Sequence, residues 1–432
     1  MKEKFDCIVV GAGPGGTAAA YTLAKHGLNV IQLERGEYPG SKNVQGAILY
    51  AHSLEKLIPG FRNDAPLERF VAEQRIWVVD GDSYVGTTHR THALDWETAD
   101  RYTILRASFD KWFSKKAQEA GVLLICETTV TDLIKEKNRV VGVKTDREDG
   151  DLYAEVVILA DGVNSLLARK AGFRKEIFPH EVALGVKETI FMSQEVLEER
   201  FGLSNSQGIA IEMVGTVTQG MLGTAFLYTN KESVSIGVGC LLADLKKEKI
   251  PPFELLESLK NHPAVKPLIH GGETKEYSAH LIPEGGYHGI PQIYGDGWMI
   301  VGDAAMFVNS IHREGSNLAM ETGRLAAETV IEIKKKGGPF NKEQLALYRN
   351  KLENSFVLKD LKKYRQFHSV FRANPHFLTT YPRLLNSSFF SLLKVDGTDK
   401  KTKEREIWKN ILQKRSLRDI FQDAIQLWRA TR

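Results

Sequence analysis

The sequence predicts an α/β protein. A parallel-sheet domain assembled from separate stretches of chain is interrupted by an α+β domain with an antiparallel sheet and followed by a helical C-terminal region. Three observations predict this. Residues 5–34 alternate strand, helix and strand around a glycine-rich turn. Two later runs, 156–160 and 298–301, are apolar and β-branched like buried strands, and each ends beside an Asp and a Gly. Between them, residues 180–290 change to alternating segments such as 223–228 and 233–240, the pattern of an antiparallel sheet. The expected division is 1–75, 100–175 and 291–338 for the first domain, 76–99 and 176–290 for the second, and 339–432 for the helical region.

The first strand, Ile8-Val9-Val10, runs into Gly11-Ala12-Gly13-Pro14-Gly15-Gly16. G-x-G-x-x-G is weak alone and becomes specific when a strand precedes it and a helix follows. Gly11 permits the tight turn, Gly13 lets the backbone approach a pyrophosphate, and Gly16 lets helix and strand pack closely. The helix is expected from about Gly15 to His26, with Pro14 at its entrance, so its free N–H groups face the phosphates. Gly27 stops it and residues 29–33 supply the second strand. Glu34 ends that strand 23 positions after Gly11. A carboxylate there accepts hydrogen bonds from ribose hydroxyls and repels a 2′-phosphate. Arg35, beside it, is assigned to the same Rossmann-like dinucleotide site.

Next in order, residues 108–120 read as a helix capped by Ser108, with Phe109, Trp112 and Phe113 on one face and Gly121 as its stop. Segments 122–126, 140–145 and 152–160 read as strands, the last two joined by Asp149-Gly150-Asp151. Segment 77–84 is expected to join the second domain. Residues 315–336 form a helix closed by Gly337-Gly338-Pro339. Beyond it, residues 400–432 carry ten Lys/Arg against four Asp/Glu. That excess reads either as a solvated face or as a docking surface for anionic lipid or an acidic partner.

Composition excludes several classes. A formal charge of +4 over 432 residues gives no reason to expect a nucleic-acid partner. Three cysteines, Cys7, Cys126 and Cys240, lie in strand-like runs and read as small buried hydrophobes. A four-iron–four-sulfur cluster takes four cysteines, so the chain alone cannot hold one, and no metal site is expected. Without an 18-residue apolar run or an apolar signal core, the expectation is a cytoplasmic protein, or a peripheral one on the cytoplasmic membrane face.

The glycine loop does not separate FAD from NAD. Val156-Val157-Ile158-Leu159-Ala160-Asp161-Gly162 and Trp298-Met299-Ile300-Val301-Gly302-Asp303-Ala304-Ala305 do so by likeness. On these residues the chain resembles the FAD-dependent family that includes glutathione-reductase-type flavin hydroxylases, geranylgeranyl reductases and electron-transfer-flavoprotein:quinone oxidoreductases. The resemblance implies FAD as cofactor, with Gly302 and Asp303 at its ribityl or pyrophosphate region. It leaves Asp161 either in contact with the nucleotide or holding its loop. Arg106 resembles the family arginine near the FAD; a surface ion pair is the alternative. Gly315, Ser316 and Asn317 open a helix whose N-terminus, aimed at the flavin N1–C2=O edge, would stabilise the reduced ring. A dipole contribution of about 1–2 kcal/mol corresponds to about 20–45 mV for a two-electron couple, enough to tune a potential and not to set it. His312 and Arg313 fall at the flavin edge, where they could guide a proton or stabilise a reduced species; a structural role for His312 stays open. Gly46 would let the backbone approach the isoalloxazine.

Four further segments resemble the FixC branch of that family: Gly40-Ser41-Lys42-Asn43-Val44-Gln45-Gly46, Leu105 to Trp112, His280-Leu281-Ile282-Pro283-Glu284-Gly285-Gly286, and Gly302 to Met320. That branch implies electrons received from an electron-transfer flavoprotein and passed to quinone or a ferredoxin-like partner. Larger relatives carry their own iron–sulfur domain with four cysteines. Its lack here implies a separate small ferredoxin-like iron–sulfur subunit. No second G-x-G-x-x-G appears, so no dedicated NAD(P)H fold is expected. The alternatives are a geranylgeranyl-type reductase, whose archaeal Tyr-x-Trp-x-Phe-Pro pattern is missing, a monooxygenase, and a relay subunit whose FAD only passes electrons within a complex. In segment 375–395, Phe377, Tyr381, Leu384, Leu385, Phe389 and Leu392 recur at helical spacing, with Pro382 expected to kink or divide the helix. This stripe reads as a membrane contact or as a surface packed on the flavin domain or a partner.

Overall fold

The computed structural model describes residues 4–42, 47–204 and 206–432, and it divides into two compact units. The first unit comprises residues 1–68, 96–182 and 280–363. Its core is a parallel sheet with strand order Trp298–Ile300, Leu152–Leu159, Lys4–Val10, Val30–Leu33 and Leu123–Ile125. The order follows from burial. Val9, Val10, Val156, Val157 and Ile158 are shielded on both faces, which suits central strands and explains their unbroken apolar runs. Leu152–Leu159 does two jobs. Its second half pairs with the parallel core, and its first half pairs antiparallel with Arg139–Thr145, which in turn pairs with Val130–Glu136. The strand at 130–136 escaped the sequence reading because its alternating residues are charged and half exposed.

Helices Pro14–Lys25 and Ser316–Lys335 pack together against this sheet. They can approach because Gly15, Ala19, Ala319 and Gly323 line the crossing. A Cβ on Gly323 would lie 2.0 Å from the carbonyl oxygen of Gly15. A glycine in a helix interior ordinarily costs about 1 kcal/mol relative to alanine; here the close crossing requires it. Gly323→Ala should therefore destabilise the unit, by about 1–3 kcal/mol, despite the better helix propensity. Thermal unfolding and the temperature of flavin release should both fall, and an unchanged midpoint would show that the crossing relaxes at no cost.

The helix expected over 108–120 begins earlier, at Arg106, and runs to Glu119. Leu105 occupies its N-cap with no side-chain cap, so Ser108 lies inside the first turn and does not start the helix. The tertiary position of Arg106 overrides the local capping preference. Phe109 and Phe113 are buried as expected. Helices Lys342–Asn354 and Phe356–Lys363 bury Leu345, Tyr348, Leu352, Leu358 and Leu361 and belong to this first unit.

The second unit comprises residues 69–95, 183–279 and 364–432. Its sheet runs Glu273–Pro283, Val182–Phe191, Ser233–Leu241, Gly223–Thr229, Gln207–Gly215, Leu67–Asp80 and Ser83–Arg90. The pairings are antiparallel at both hairpins, 67–90 and 223–241, and parallel between Gln207–Gly215 and Leu67–Asp80. One face carries Val186, Ile190, Ile209, Ile211, Leu227 and Ile236 into a core closed by Leu197, Phe201, Leu255 and Leu259 from helices.

The C-terminal residues of this unit pack on the 67–90 hairpin. Helix Thr380–Leu393 is pinned there by Asn386, whose side-chain N–H groups donate to Val78 and Pro382 carbonyls at 3.0 and 2.9 Å. The segment is divided at Leu378 and Thr379, between the short turn Pro375–Phe377 and the helix; Pro382 sits inside the first turn of the helix, where its missing N–H costs no intrahelical bond, so it does not divide it. Asp423, buried in the last helix Leu417–Ala430, accepts hydrogen bonds from Tyr381, Arg415 and His376. Among the described residues no helix is long and apolar enough to cross a membrane.

Candidate functional site

The glycine loop has two kinds of glycine. Gly11 has φ of +103°, and a Cβ on it would lie 2.3 Å from the carbonyl oxygen of Ala160; a Cβ on Gly16 would lie 2.1 Å from that of Gly11. Both are required by the packing of the loop itself. Gly13 differs, because a Cβ there would meet nothing within 4 Å. Packing does not demand this glycine, so the space in front of it is what a small residue preserves. Gly13 is also the N-cap of Pro14–Lys25, and no side chain caps that end. The first-turn N–H groups of Gly15 and Gly16 are therefore available to an anion.

Glu34 lies where the second strand ends. It accepts from the N–H of Ala12 at 2.9 Å and from that of Gly36 at 2.7 Å. An ionised carboxylate has about four acceptor positions, so these bonds orient it and leave capacity for hydroxyl donors. Arg35 is exposed, and its charge reaches Asp161 and His280.

Arg106 is not a surface ion pair. It is largely buried and donates to both carboxylate oxygens of Asp110, at 2.9 and 2.8 Å. Its charge also acts on Asp303. Burial nevertheless pushes the Asp303 carboxyl up to about 6, with Arg106 pulling the other way. Negative charge is thus costly at this position in the protein alone, and hydrogen-bond donors on a ligand, such as sugar hydroxyls, would relieve that cost. Asp161 is likewise pushed up to about 6, chiefly by burial. One of its oxygens accepts from the N–H of Leu167 at 3.2 Å and so caps the short helix Leu166–Lys170; the other is buried with no partner. Asp161 thus holds the start of a short helix through one oxygen and leaves one acceptor over.

Gly302 and Asp303 are tied to the last helix of the site, since the Gly302 N–H donates to Thr322 at 3.0 Å. That helix, Ser316–Lys335, has Gly315 as its N-cap and no side-chain cap, so the N–H groups of Ser316 and Asn317 are a second anion-accepting end. Asn317 donates to Glu314 at 3.0 Å, and its side-chain oxygen is buried without a partner. Just before it, Asn309 and Glu314 exchange backbone hydrogen bonds of 2.9 and 3.0 Å and close a tight turn around His312 and Arg313. Arg313 sits in the left-handed region at φ +55°. The His312 carbonyl accepts from the Tyr50 hydroxyl at 3.0 Å, so its backbone is fixed in place.

The structure brings Gly11, Gly13, Pro14, Gly15, Gly16, Glu34, Asp161, Gly302, Asp303, Gly315, Ser316 and Asn317 into one unit, together with Arg35, Arg106, His312 and Arg313. Gly46 lies outside the described residues. Two uncapped helix ends, a cleared space at Gly13, acceptor carboxylates at Glu34 and Asp303, and unpartnered acceptors on Asp161 and Asn317 suit a dinucleotide with two phosphates and many hydroxyls. Such a flavin supplies the redox chemistry, and the chain supplies orientation and electrostatics. Three site residues have no role in the sequence reading. Asp110 holds Arg106. Burial, with the charges of Arg106 and Arg35, holds the His280 imidazole below its ordinary value. Glu284 receives a hydrogen bond from Ser310 and lies within the field of Arg313. The segment 280–286 is visible as a likeness, but neither spacing nor periodicity shows that it returns to the neighbourhood of Arg106 and Arg313.

The FAD dependent oxidoreductase family matches residues 6–181, and the ETF-QO/FixC family C-terminal domain matches residues 367–432. The chain is 58% identical over 430 residues to Protein FixC of Azotobacter vinelandii, covering all of both chains. It is 40% identical over 397 residues to the probable electron transfer flavoprotein-quinone oxidoreductase YdiS of Escherichia coli, covering 91% of this chain and 92% of that one. Among solved structures, a geranylgeranyl bacteriochlorophyll reductase-like protein from Thermoplasma acidophilum superposes with a TM-score of 0.73 at 20% identity, covering 96% and 97% of the two chains. A flavin-dependent brominase superposes with a TM-score of 0.67 at 18% identity, covering 96% of this chain and 100% of that one. These two likenesses speak to the fold.

Proposed function

We propose, from the premise that the chain belongs to the ETF-QO/FixC family and is an FAD-dependent oxidoreductase, that it takes electrons from an electron-transfer flavoprotein and passes them toward quinone or a ferredoxin-like iron–sulfur subunit. Full-length similarity to FixC proteins, together with a single dinucleotide loop, carries this reading. One such loop already committed to FAD leaves no dedicated fold for a nicotinamide, so the donor is a protein. Glu34, Asp303 and the two helix ends hold the cofactor; Arg106, positioned by Asp110, sets the charge beside it; Arg313 and His312 belong to the flavin edge.

The protein is proposed to work at the cytoplasmic membrane face. The C-terminal helices of the second unit expose Phe390, Leu393, Val395, Trp408, Leu417, Phe421 and Trp428 within a segment rich in Lys and Arg. An apolar quinone must be met at the bilayer surface, and such side chains with a basic surround suit that surface.

Stopped-flow absorbance tests the donor. A reduced electron-transfer flavoprotein should bleach the flavin of the purified chain, NADH alone should not, and a short-chain quinone should restore the colour. Bleaching by NADH alone at catalytically useful rates would overturn the reading. Restoration only by a ferredoxin-like subunit would assign the chain the relay role without quinone.

A further inference from the structure

We infer that Glu284 carries a proton in step with the electrons, taking one up as bound FAD is reduced and releasing it as the FAD is reoxidised. This rests on the flavin reading above and adds a named residue to it.

The position of Glu284 is fixed from both sides. Its N–H donates to the Glu181 carbonyl at 2.7 Å. The next residue, Gly285, is pressed close: its missing Cβ would lie 3.0 Å from Gly289 and 3.6 Å from the sulfur of Met306, three residues after Asp303. Glu284 is half-buried as a residue; its carboxyl group is desolvated, receives a hydrogen bond from the Ser310 side chain and lies within the field of Arg313. Ser310 and Arg313 belong to the tight turn that leads into the Ser316–Lys335 helix end, and Arg313 holds a left-handed backbone there. Strained residues of this kind collect at working sites.

The surrounding elements bring other ionisable groups. The turn brings His312, Arg313 and Glu314; the turn Pro179–Glu181 brings His180 and Glu181; the turn Gly286–Gly289 brings His288. Helix Phe356–Lys363, packed on that last turn, brings Lys359, Asp360, Lys362 and Lys363. Glu181 is committed to the N–H of Phe178 at 3.0 Å and Glu314 to Asn317 at 3.0 Å. Arg313 exerts a charge on Glu284 that favours the carboxylate. Burial outweighs both Arg313 and Ser310 and pushes the carboxyl up to about 7. Near neutral pH it therefore exists in both protonation states. Three other carboxyls are raised by burial: Asp110 is held by Arg106, Asp161 caps a helix through one oxygen, and Asp303 belongs to the cofactor reading.

Electrons entering a partly desolvated site add negative charge, and a neighbouring carboxylate responds by binding a proton. The balance is complete. Two electrons arrive from the donor flavoprotein with two protons from solvent, one bound by the reduced flavin itself and one converting the Glu284 carboxylate to the acid. On reoxidation a quinone takes two electrons and two protons, one given up by the flavin and one by Glu284, and the carboxylate returns.

Two measurements on the FAD-loaded full chain test this. The first is the midpoint potential against pH, poised with small-molecule mediators so that no protein donor is needed. Each proton bound per two electrons adds about 30 mV per pH unit to the slope. Wild type should show that extra slope above pH about 7, and Glu284→Gln should lack it. Ser310→Ala removes a donor to the charged form, so its break should move to higher pH; this variant keeps the test alive if Glu284→Gln does not fold. The second is the reduced-minus-oxidised infrared spectrum, where a carboxylic C=O band should appear in wild type and vanish in Glu284→Gln. Identical slopes and bands in wild type and Glu284→Gln would overturn the proposal. A wild type that cannot be reduced by an electron-transfer flavoprotein, yet shows the Glu284-dependent slope, would sink the donor assignment and leave this inference standing.

Discussion

Gly13→Val should purify colourless and stay colourless after incubation with FAD, while remaining folded. The backbone at Gly13, φ −76° and ψ 178°, is one that valine adopts without strain, and an added Cβ meets no protein atom within 4 Å. The new methyl groups enter only the space that a pyrophosphate needs in order to reach the N–H groups of Gly15 and Gly16. Affinity should fall by more than a hundredfold, which is upward of about 2.7 kcal/mol. The apoprotein should unfold at the temperature of wild-type apoprotein. Gly16→Val is the contrast, because its Cβ would lie 2.1 Å from the Gly11 carbonyl oxygen and the loop itself must give way. Asp303→Ala should be milder, with a ten- to hundredfold loss, in line with about 1.5–3 kcal/mol for hydrogen bonds to a charged group. Visible absorbance per protein and calorimetric titration of FAD read all three. Wild-type affinity in Gly13→Val would remove the phosphates from this loop.

The double variant Phe389→Glu, Phe390→Glu should lose binding to anionic vesicles that wild type shows, and should keep its FAD. Helix Thr380–Leu393 has two faces with different fates. Leu384 and Asn386 are buried against the second unit's hairpin, whereas Phe389 and Phe390 are 45% and 73% exposed. The expected apolar stripe is therefore split: its early members hold the helix down and its late members face outward. Two carboxylates on the outward part remove apolar contact and add repulsion from anionic lipid. Each nearby Lys or Arg contributes on the order of 1 kcal/mol of attraction, so the basic residues after 399 alone should not restore binding once the apolar anchor is gone. Co-sedimentation with vesicles containing phosphatidylserine measures this. Equal binding by both proteins, or none by either, would remove this helix as the membrane contact. Residual binding lost on further substitution of Leu417 and Phe421 would move the contact to the last helix.

Several features were open to sequence reading because their causes are local. The glycine loop, the strand that precedes it and the carboxylate that ends the second strand lie within about thirty residues. The helix between them is dictated by Pro14, a run of alanines and the stop at Gly27. The strand at 298–300 and the helix after Gly315 are equally local, and both appear with boundaries within a residue of expectation. The antiparallel sheet announced itself at 223–241 because its core-facing residues alternate.

Other features depend on partners distant in the chain. The early start of the Arg106 helix, the ion pair with Asp110 and the approach of Gly323 to Gly15 arise where separate segments meet. The last of these was hidden because a lone glycine within a helical pattern looks like a local weakness.

What the sequence by itself determined is an α/β class with a dinucleotide loop and a carboxylate at the end of the second strand, because there residue type and spacing prescribe backbone conformation directly; the choice of FAD rested on likeness to a family rather than on local geometry. What only the tertiary structure decided is the electrostatic character of the site. Whether Arg106 is a surface charge or a buried, Asp110-held one depends on how much water remains around it. Whether Asp303 and Glu284 hold protons near neutral pH depends likewise on burial and on neighbours far away in the chain. Desolvation is a property of the packed molecule, and no local pattern encodes it.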